Sequence, residues 1–225
     1  MSDTLPISHK RKLIIERIAA SAKRAGLNNN QVLTAVSKMQ PDFKIKEMIS
    51  AGQKVFGENR VQESQIRWGN TFKYIRKDIE LRLIGPLQSN KALDAVKVFD
   101  VIETLDRMSL AKALVRAADK HGSLPKILIQ INTGEEKQKS GVSPSHLPLF
   151  LSELKKEYNI KPAGLMCIPP LKEAASPHFW LLKKLTEDYG MEATSMGMSN
   201  DFEVAIEMGA THVRVGSALF GPRIY

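Results

Sequence analysis

Eight short runs of apolar and β-branched residues, spaced at near-regular intervals along 225 residues, constrain this chain more than any other feature. They cover residues 32–37, 54–57, 81–87, 98–105, 126–131, 163–168, 192–197 and 212–216. Each is followed by a stretch that reads as helix. Strands of nearly continuous apolar character are buried on both faces, which requires a parallel sheet whose crossover helices cover its outer side. Eight such units predict an α/β fold of the closed (β/α)8 TIM-barrel type, as a single domain over residues 1–225. An open doubly wound sheet is the competing topology.

The helical segments support the barrel. A first amphipathic helix runs before any strand, with Ser8 expected as N-cap, Gly26 just beyond its end, and Ile14, Ile18, Ala22 and Ala25 on one face. The eighth strand lies a few residues before Tyr225 and leaves no room for a full eighth helix. The extra N-terminal helix is therefore expected to cover the gap outside strands one and eight. Residues 41–50 bury Ile45, Met48 and Ile49 in the same manner. Asp106 is expected to cap a helix whose stripe is Leu110, Ala113, Leu114, Ala117 and Ala118, and Gly122 to end it.

Composition removes several functions. Cys167 is the lone cysteine, so neither a disulfide nor a CxxC metal site can be built, and a reducing, cytoplasmic location is expected. His9, Lys10, Arg11 and Lys12 are followed by Glu16 and Arg17, which interrupt any signal-peptide core. No apolar run reaches the ~18 residues of a membrane span. The 33 basic and 24 acidic residues give a net charge of +9, but aromatics are only 6% and no basic cluster interleaves with them. Stacking platforms for nucleic acid are missing, so the charge is read as solubility plus attraction of anionic ligands. The five histidines lack metal-ligand spacing, and no metal site is expected.

In a barrel, chemistry gathers where strands end at the C-terminal face. Alternation places Thr34, Val36 and Lys38 on one face of the first strand, with Lys38 at the mouth. A lysine against apolar walls loses part of its preference for the charged form, as an amine must to attack an aldehyde. A solvated lysine opening the loop before Pro41 is the alternative. The seventh strand passes through Ser195-Met196-Gly197-Met198-Ser199-Asn200-Asp201 into a helix, and the eighth closes on Arg214-Val215-Gly216-Ser217-Ala218-Leu219-Phe220-Gly221. Both turns offer backbone N–H groups at one corner of the barrel, where phosphate sites are commonly built. Helix capping by Ser199 or Asn200 is the simpler account of the first turn. Asn59, Asn90 and Lys91 lie in polar turns after the second and third strands and are weaker candidates.

Taken in order, Ala35-Val36-Ser37-Lys38, Phe56-Gly57-Glu58-Asn59, Ile84-Gly85-Pro86-Leu87-Gln88-Ser89-Asn90-Lys91, the Ser195 turn and the Arg214 turn resemble the pyridoxal phosphate homeostasis protein family. That family is a single-domain relative of the alanine racemase N-terminal barrel, of the PLP-binding type called fold type III. The resemblance implies pyridoxal 5'-phosphate (PLP) held as a Schiff base on Lys38. It further implies a phosphate held by Ser199, Gly216 and Ser217 in the corner that includes Gly197, Asn59 near the cofactor, and Arg214 facing the pyridine nitrogen. Leu81-Arg82 depart from the family pattern, standing where an aromatic and histidine pair is common.

The function so implied is intracellular vitamin B6 homeostasis, with PLP buffered or delivered and little or no catalysis. Proton abstraction on two faces needs two positioned groups. The related racemases bring a tyrosine from a second domain, whereas Tyr74, Tyr158, Tyr189 and Tyr225 here fall in helical or terminal segments. A low-activity PLP-dependent amino-acid racemase is the alternative, and a basic binder of nucleic acid or phosphate metabolites is a more distant one. The expected partners are PLP and PLP-dependent apo-enzymes as recipients, with no nucleic acid, no membrane, and a monomeric state.

Overall fold

The computed structural model describes residues 5–221. Its strands are β1 (Val32–Val36), β2 (Val55–Glu58), β3 (Glu80–Leu83), β4 (Val101–Leu105), β5 (Lys126–Ile131), β6 (Gly164–Cys167), β7 (Ala193–Ser195) and β8 (His212–Val215). They form one closed barrel in sequence order. Every pair is parallel, and β8 closes on β1 from Val32 opposite His212 to Ala35 opposite Val215. The (β/α)8 barrel expected from the eight runs is the fold observed.

Three runs differ from their strands by more than one residue at an end. Pro86 has no N–H to give a ladder and Gly85 precedes it, so the third run stops pairing at Leu83. Val98 ends a helix instead of opening β4, and Asp100 sits between them, its carboxylate accepting the Leu81 N–H at 2.7 Å. The seventh run is paired as a strand only from Ala193 to Ser195.

The covering helices are α1 (Ile7–Arg24), α2 (Asp42–Ser50), α3 (Val61–Ile66), α4 (Ala92–Val98), α5 (Met108–His121), α6 (Leu147–Tyr158), α7 (Ala175–Asp188), α8 (Phe202–Glu207) and the four-residue α9 (Ser217–Phe220). α1 packs against α2, α8 and α9, over the β1–β8 seam where a full eighth helix would lie. Ile14, Ile18 and Ala22 are buried there. Each buried isoleucine contributes about 1.5–3 kcal/mol. The exposed Arg17–Glu203 and Arg24–Glu207 pairs, both 2.7 Å, add little beside that.

Two expected caps are corrected. Pro6, not Ser8, precedes α1, its fixed φ of −54° leading into the helix and its carbonyl accepting the Lys10 N–H. α5 starts at Met108 after Arg107, and Asp106 accepts from the Arg107 guanidinium at 2.6 Å instead of capping. Gly122 does end α5 in the left-handed region, at φ 96°.

Strand alternation sorts side chains between two environments. Ala35, Phe56, Leu81, Leu83, Ile102, Ile127, Ile129, Leu165 and Val213 belong to the large core between strands and helices. Val101, Leu128 and Met166 form a separate apolar cluster within the barrel. Arg82, Glu103, Ser195 and Arg214 are also buried, and alternation turns them inward with that cluster. No helix among the described residues is long and apolar enough to cross a membrane.

Candidate functional site

The C-terminal ends of the strands surround a cleft of about 480 Å³, within the usual range for small-molecule sites. Lys38, Asn59, Ser199, Arg214, Gly216 and Ser217, six of the seven residues expected at a site, line it together. Gly197 does not. It stands behind the lining at φ 85°, and a Cβ there would come within 2.5 Å of the Ala205 Cβ. Its task is to let the β7 turn close on α8 while its carbonyl accepts the Arg214 N–H at 3.0 Å.

Lys38 follows β1 in a tight turn closed by the Gln40 N–H on the Ser37 carbonyl at 3.1 Å. Met39, directly after it, has φ 58°, a conformation that side-chain-bearing residues adopt at a cost. Asn59 follows β2, and Gly85 lies against it so closely that a Cβ would be 2.5 Å from the Asn59 carbonyl oxygen. The Asn59 Oδ1 and Gln40 Oε1 atoms are buried with no hydrogen-bond partner among the described residues. Unsatisfied acceptors of this kind cost about 1–3 kcal/mol each, and both residues line the cleft, where a ligand donor would relieve them.

The turns after β7 and β8 meet at one corner, as expected. Ser199 does not cap α8. Its Oγ accepts the Gly216 N–H at 3.2 Å, which ties the two turns and leaves its O–H able to donate into the cleft. Asp201, not Ser199 or Asn200, precedes α8, and its carboxylate accepts the Met198 N–H at 2.6 Å. Asn90 and Lys91, weaker candidates from the start, form a 3-10 turn with Ser89 and do not line the cleft.

Arg214 closes the floor, held on two sides: its Nη1 donates to Ser195 Oγ at 2.7 Å and its Nη2 to the Cys167 carbonyl at 2.8 Å. Ser195 in turn donates to Glu103 Oε2 at 2.6 Å, and Arg82 Nε donates to Glu103 Oε1 at 2.5 Å. Burial pushes the Glu103 carboxyl up, but Arg82, Arg214 and the hydrogen bonds from Ser195 and Arg82 outweigh it and hold the group below the usual carboxylate range. Burial raises the Cys167 thiol to about 12, so it remains protonated and inert beside the site.

Two residues were not among those expected: Glu103, which fixes Arg214 through Ser195, and Arg67, which reaches the Lys38 turn. Nor was the apolar rim of Ile84, Ile168, Pro169, Pro170 and Leu171. A charged residue at an inward position of an otherwise apolar strand was the available signal for Glu103. Arg67 carried none, because its partners are set by tertiary packing.

Comparison with known proteins follows the same lines. Residues 14–223 match the family described as alanine racemase, N-terminal domain. The pyridoxal phosphate homeostasis protein of Aquifex aeolicus is 39% identical over 222 residues, covering 94% of this chain and 96% of that one. Its Escherichia coli K12 namesake is 34% identical over 230 residues, covering 97% of each. The solved structure of PipY from Synechococcus elongatus with PLP bound superposes with a TM-score of 0.77 at 36% identity, over 92% of this chain and all of that one. An alanine racemase from Clostridium difficile shares the fold at TM-score 0.66 and 14% identity, this chain spanning 56% of its length. The chain belongs to the pyridoxal phosphate homeostasis protein family, whose barrel is that of the alanine racemase N-terminal domain.

Proposed function

We propose that this cleft holds PLP and that the protein buffers or delivers the cofactor in vitamin B6 homeostasis. The observation that carries the reading is the meeting, in one cleft of a chain of this family, of the Lys38 amine, the Ser199–Gly216 corner and the fixed Arg214 guanidinium. The residues present suit the cofactor. Ser199 and Ser217 supply hydroxyl donors for a phosphate at the corner where the Gly216 N–H is held by Ser199 Oγ. Gly216 lines the cleft beside Val36, so the backbone itself forms the wall at that corner. Asn59, with its unsatisfied amide oxygen, lines the same cleft and offers an acceptor to the cofactor.

When bound, PLP would supply an aldehyde for the Lys38 amine and a pyridine ring able to serve as electron sink when its nitrogen is protonated. Arg214 bears on the second property. A guanidinium stays protonated and only donates, so an acceptor facing it remains unprotonated. With Arg214 pinned by Ser195 and Cys167, the site favours holding the cofactor over carbanion chemistry. The reading extends to PLP-dependent apo-enzymes as recipients, a monomeric protein and a cytoplasmic location.

The test is the visible absorption of the purified protein with PLP after free cofactor is removed, for wild type and Lys38→Ala. A band present in wild type and lost in the variant is the expected result. An unchanged band would move the anchor to another lysine, and no band in either would leave a phosphate-binding barrel. Sustained interconversion of amino-acid enantiomers, abolished by Lys38→Ala, would replace the carrier reading by a racemase.

A further inference from the structure

The Lys38 turn is gripped from outside the cleft. Arg67, the first residue of a π-helical turn (Arg67–Thr71), directs its guanidinium at the backbone on both sides of the lysine. Nη1 donates to the Ser37 carbonyl at 3.2 Å and Nη2 to the Gln40 carbonyl at 2.8 Å. The same side chain donates to Glu58 Oε1 and to Asp42 Oδ1, each at 3.0 Å. One planar fork thus joins the residue before Lys38, the residue two after it, the end of β2 and the start of α2.

The anchor is itself well held. Glu58 is 1% exposed, and its Oε1 also accepts Ser37 Oγ at 2.8 Å and Trp68 Nε1 at 3.3 Å. Trp68 is locked between Phe56 and Phe72, with ring centroids 5.0 and 5.3 Å away. The π turn is closed by the Phe72 N–H on the Arg67 carbonyl at 2.9 Å. Such turns are rare and concentrate at functional sites. The segment gripped contains Met39 at φ 58°, a backbone state that persists only where surrounding contacts over-determine it.

We propose that Arg67 is the positioning residue for Lys38: it clamps the strained Ser37–Gln40 turn in the conformation that presents the lysine amine to the cleft. Arg67 is not among the residues lining the cleft, so it acts only through the turn. The inference rests on Lys38 being the cofactor amine. It predicts that loss of the clamp damages capture of an aldehyde by Lys38 while sparing the contacts made by the phosphate corner.

Two ligands separate these effects: PLP, which has the aldehyde, and pyridoxine 5'-phosphate, which carries an alcohol in its place. Calorimetry would measure affinity for both, and sodium cyanoborohydride trapping with peptide mass analysis would measure the rate at which Lys38 is labelled by PLP. The variants are Arg67→Ala and the milder Arg67→Lys, whose compact ammonium cannot reproduce the fork. Expected is a fall of tenfold or more in PLP affinity and Lys38 labelling for Arg67→Ala, partial recovery with Arg67→Lys, and pyridoxine 5'-phosphate affinity within about twofold of wild type throughout. Equal losses for both ligands, or no loss for PLP, would overturn the positioning role. If Arg67→Ala does not fold, Arg67→Lys alone decides by the same split. Absence of Lys38 labelling in wild type would overturn the cofactor reading first, and this inference with it.

Discussion

Two glutamates in this barrel are almost equally hidden from water and respond in opposite ways. Glu58, turned toward the helices, is 1% exposed, and Glu103, turned into the barrel, is 0% exposed. Burial pushes each carboxyl up. At Glu58 it prevails over Arg67 and the hydrogen bonds from Ser37, Arg67 and Trp68, and the group rests above its ordinary range. At Glu103 two guanidiniums, Arg82 and Arg214, with the Ser195 hydroxyl, prevail over burial, and the group rests below it. Burial alone does not set the protonation of a carboxyl. The two sites differ in the fixed cations beside them, Arg67 at Glu58 against Arg82 and Arg214 at Glu103.

The largest effect should come from breaking the stronger arrangement. Glu103→Gln leaves Arg82 and Arg214 buried, at 3% exposure each, without the charge between them. Removing one partner of a buried ion cluster costs about 3–5 kcal/mol, because the remaining charges stay desolvated. Denaturant unfolding at neutral pH should show that loss, and PLP affinity should fall as well, since Ser195 and Arg214 lose the group that orients them. A loss no larger than that of Glu58→Gln would break the comparison.

His212 extends the contrast to a base. Burial, then Arg82, with Lys126 and Arg214, press its imidazole down to about 4 from an ordinary 6.5, while Glu103 pulls the other way. Because the folded state refuses the proton that the unfolded chain accepts, the stability linked to His212 is complete above 6.5. It is lost as pH falls from 6.5 toward 4, by up to about 3 kcal/mol. Asparagine can keep the ring's 2.8 Å contact with Thr211 Oγ1 without titrating, so His212→Asn should flatten the pH–stability curve in that window. A curve of unchanged slope would assign the acid loss elsewhere.

These groups also show where the sequence stops being informative. The strands were legible because eight apolar runs of four to eight residues leave few other folds, and Lys38 was legible because alternation from Thr34 and Val36 aims it at the mouth. The corner of Ser199, Gly216 and Ser217 followed from small residues closing the last two strands. Glu103 was only weakly signalled, since it is one of two acids within residues 98–105 and gains meaning only when Arg82 and Arg214, 21 residues before and 111 after, turn inward beside it. Arg67 depends on how a π turn docks against β1 and β2, which no local pattern encodes. Gly197 was placed at the site for its turn, but its need for glycine comes from Ala205 packing behind it.

The smallest effect is the most discriminating. Glu58→Gln keeps an oxygen able to accept from Ser37, Trp68 and Arg67 while removing a charge that burial already disfavours, so the cost at neutral pH should be no more than about 1 kcal/mol. The sign of its pH dependence follows from the raised folded pKa. Stability linked to protonation of Glu58 is fully present below the unfolded value of 4.5 and lost as pH rises through the folded one. Wild type should therefore gain on Glu58→Gln as pH falls through the raised folded value toward 4.5, whereas wild type should lose its advantage over Glu103→Gln only below 4.5, as pH falls through the lowered folded pKa of Glu103. Unfolding free energies of the three proteins across that range would reveal two slopes of opposite sign. If wild type instead lost ground to Glu58→Gln on acidification, one arginine would suffice to hold a buried carboxylate, and the count of cations would not be what separates the two sites.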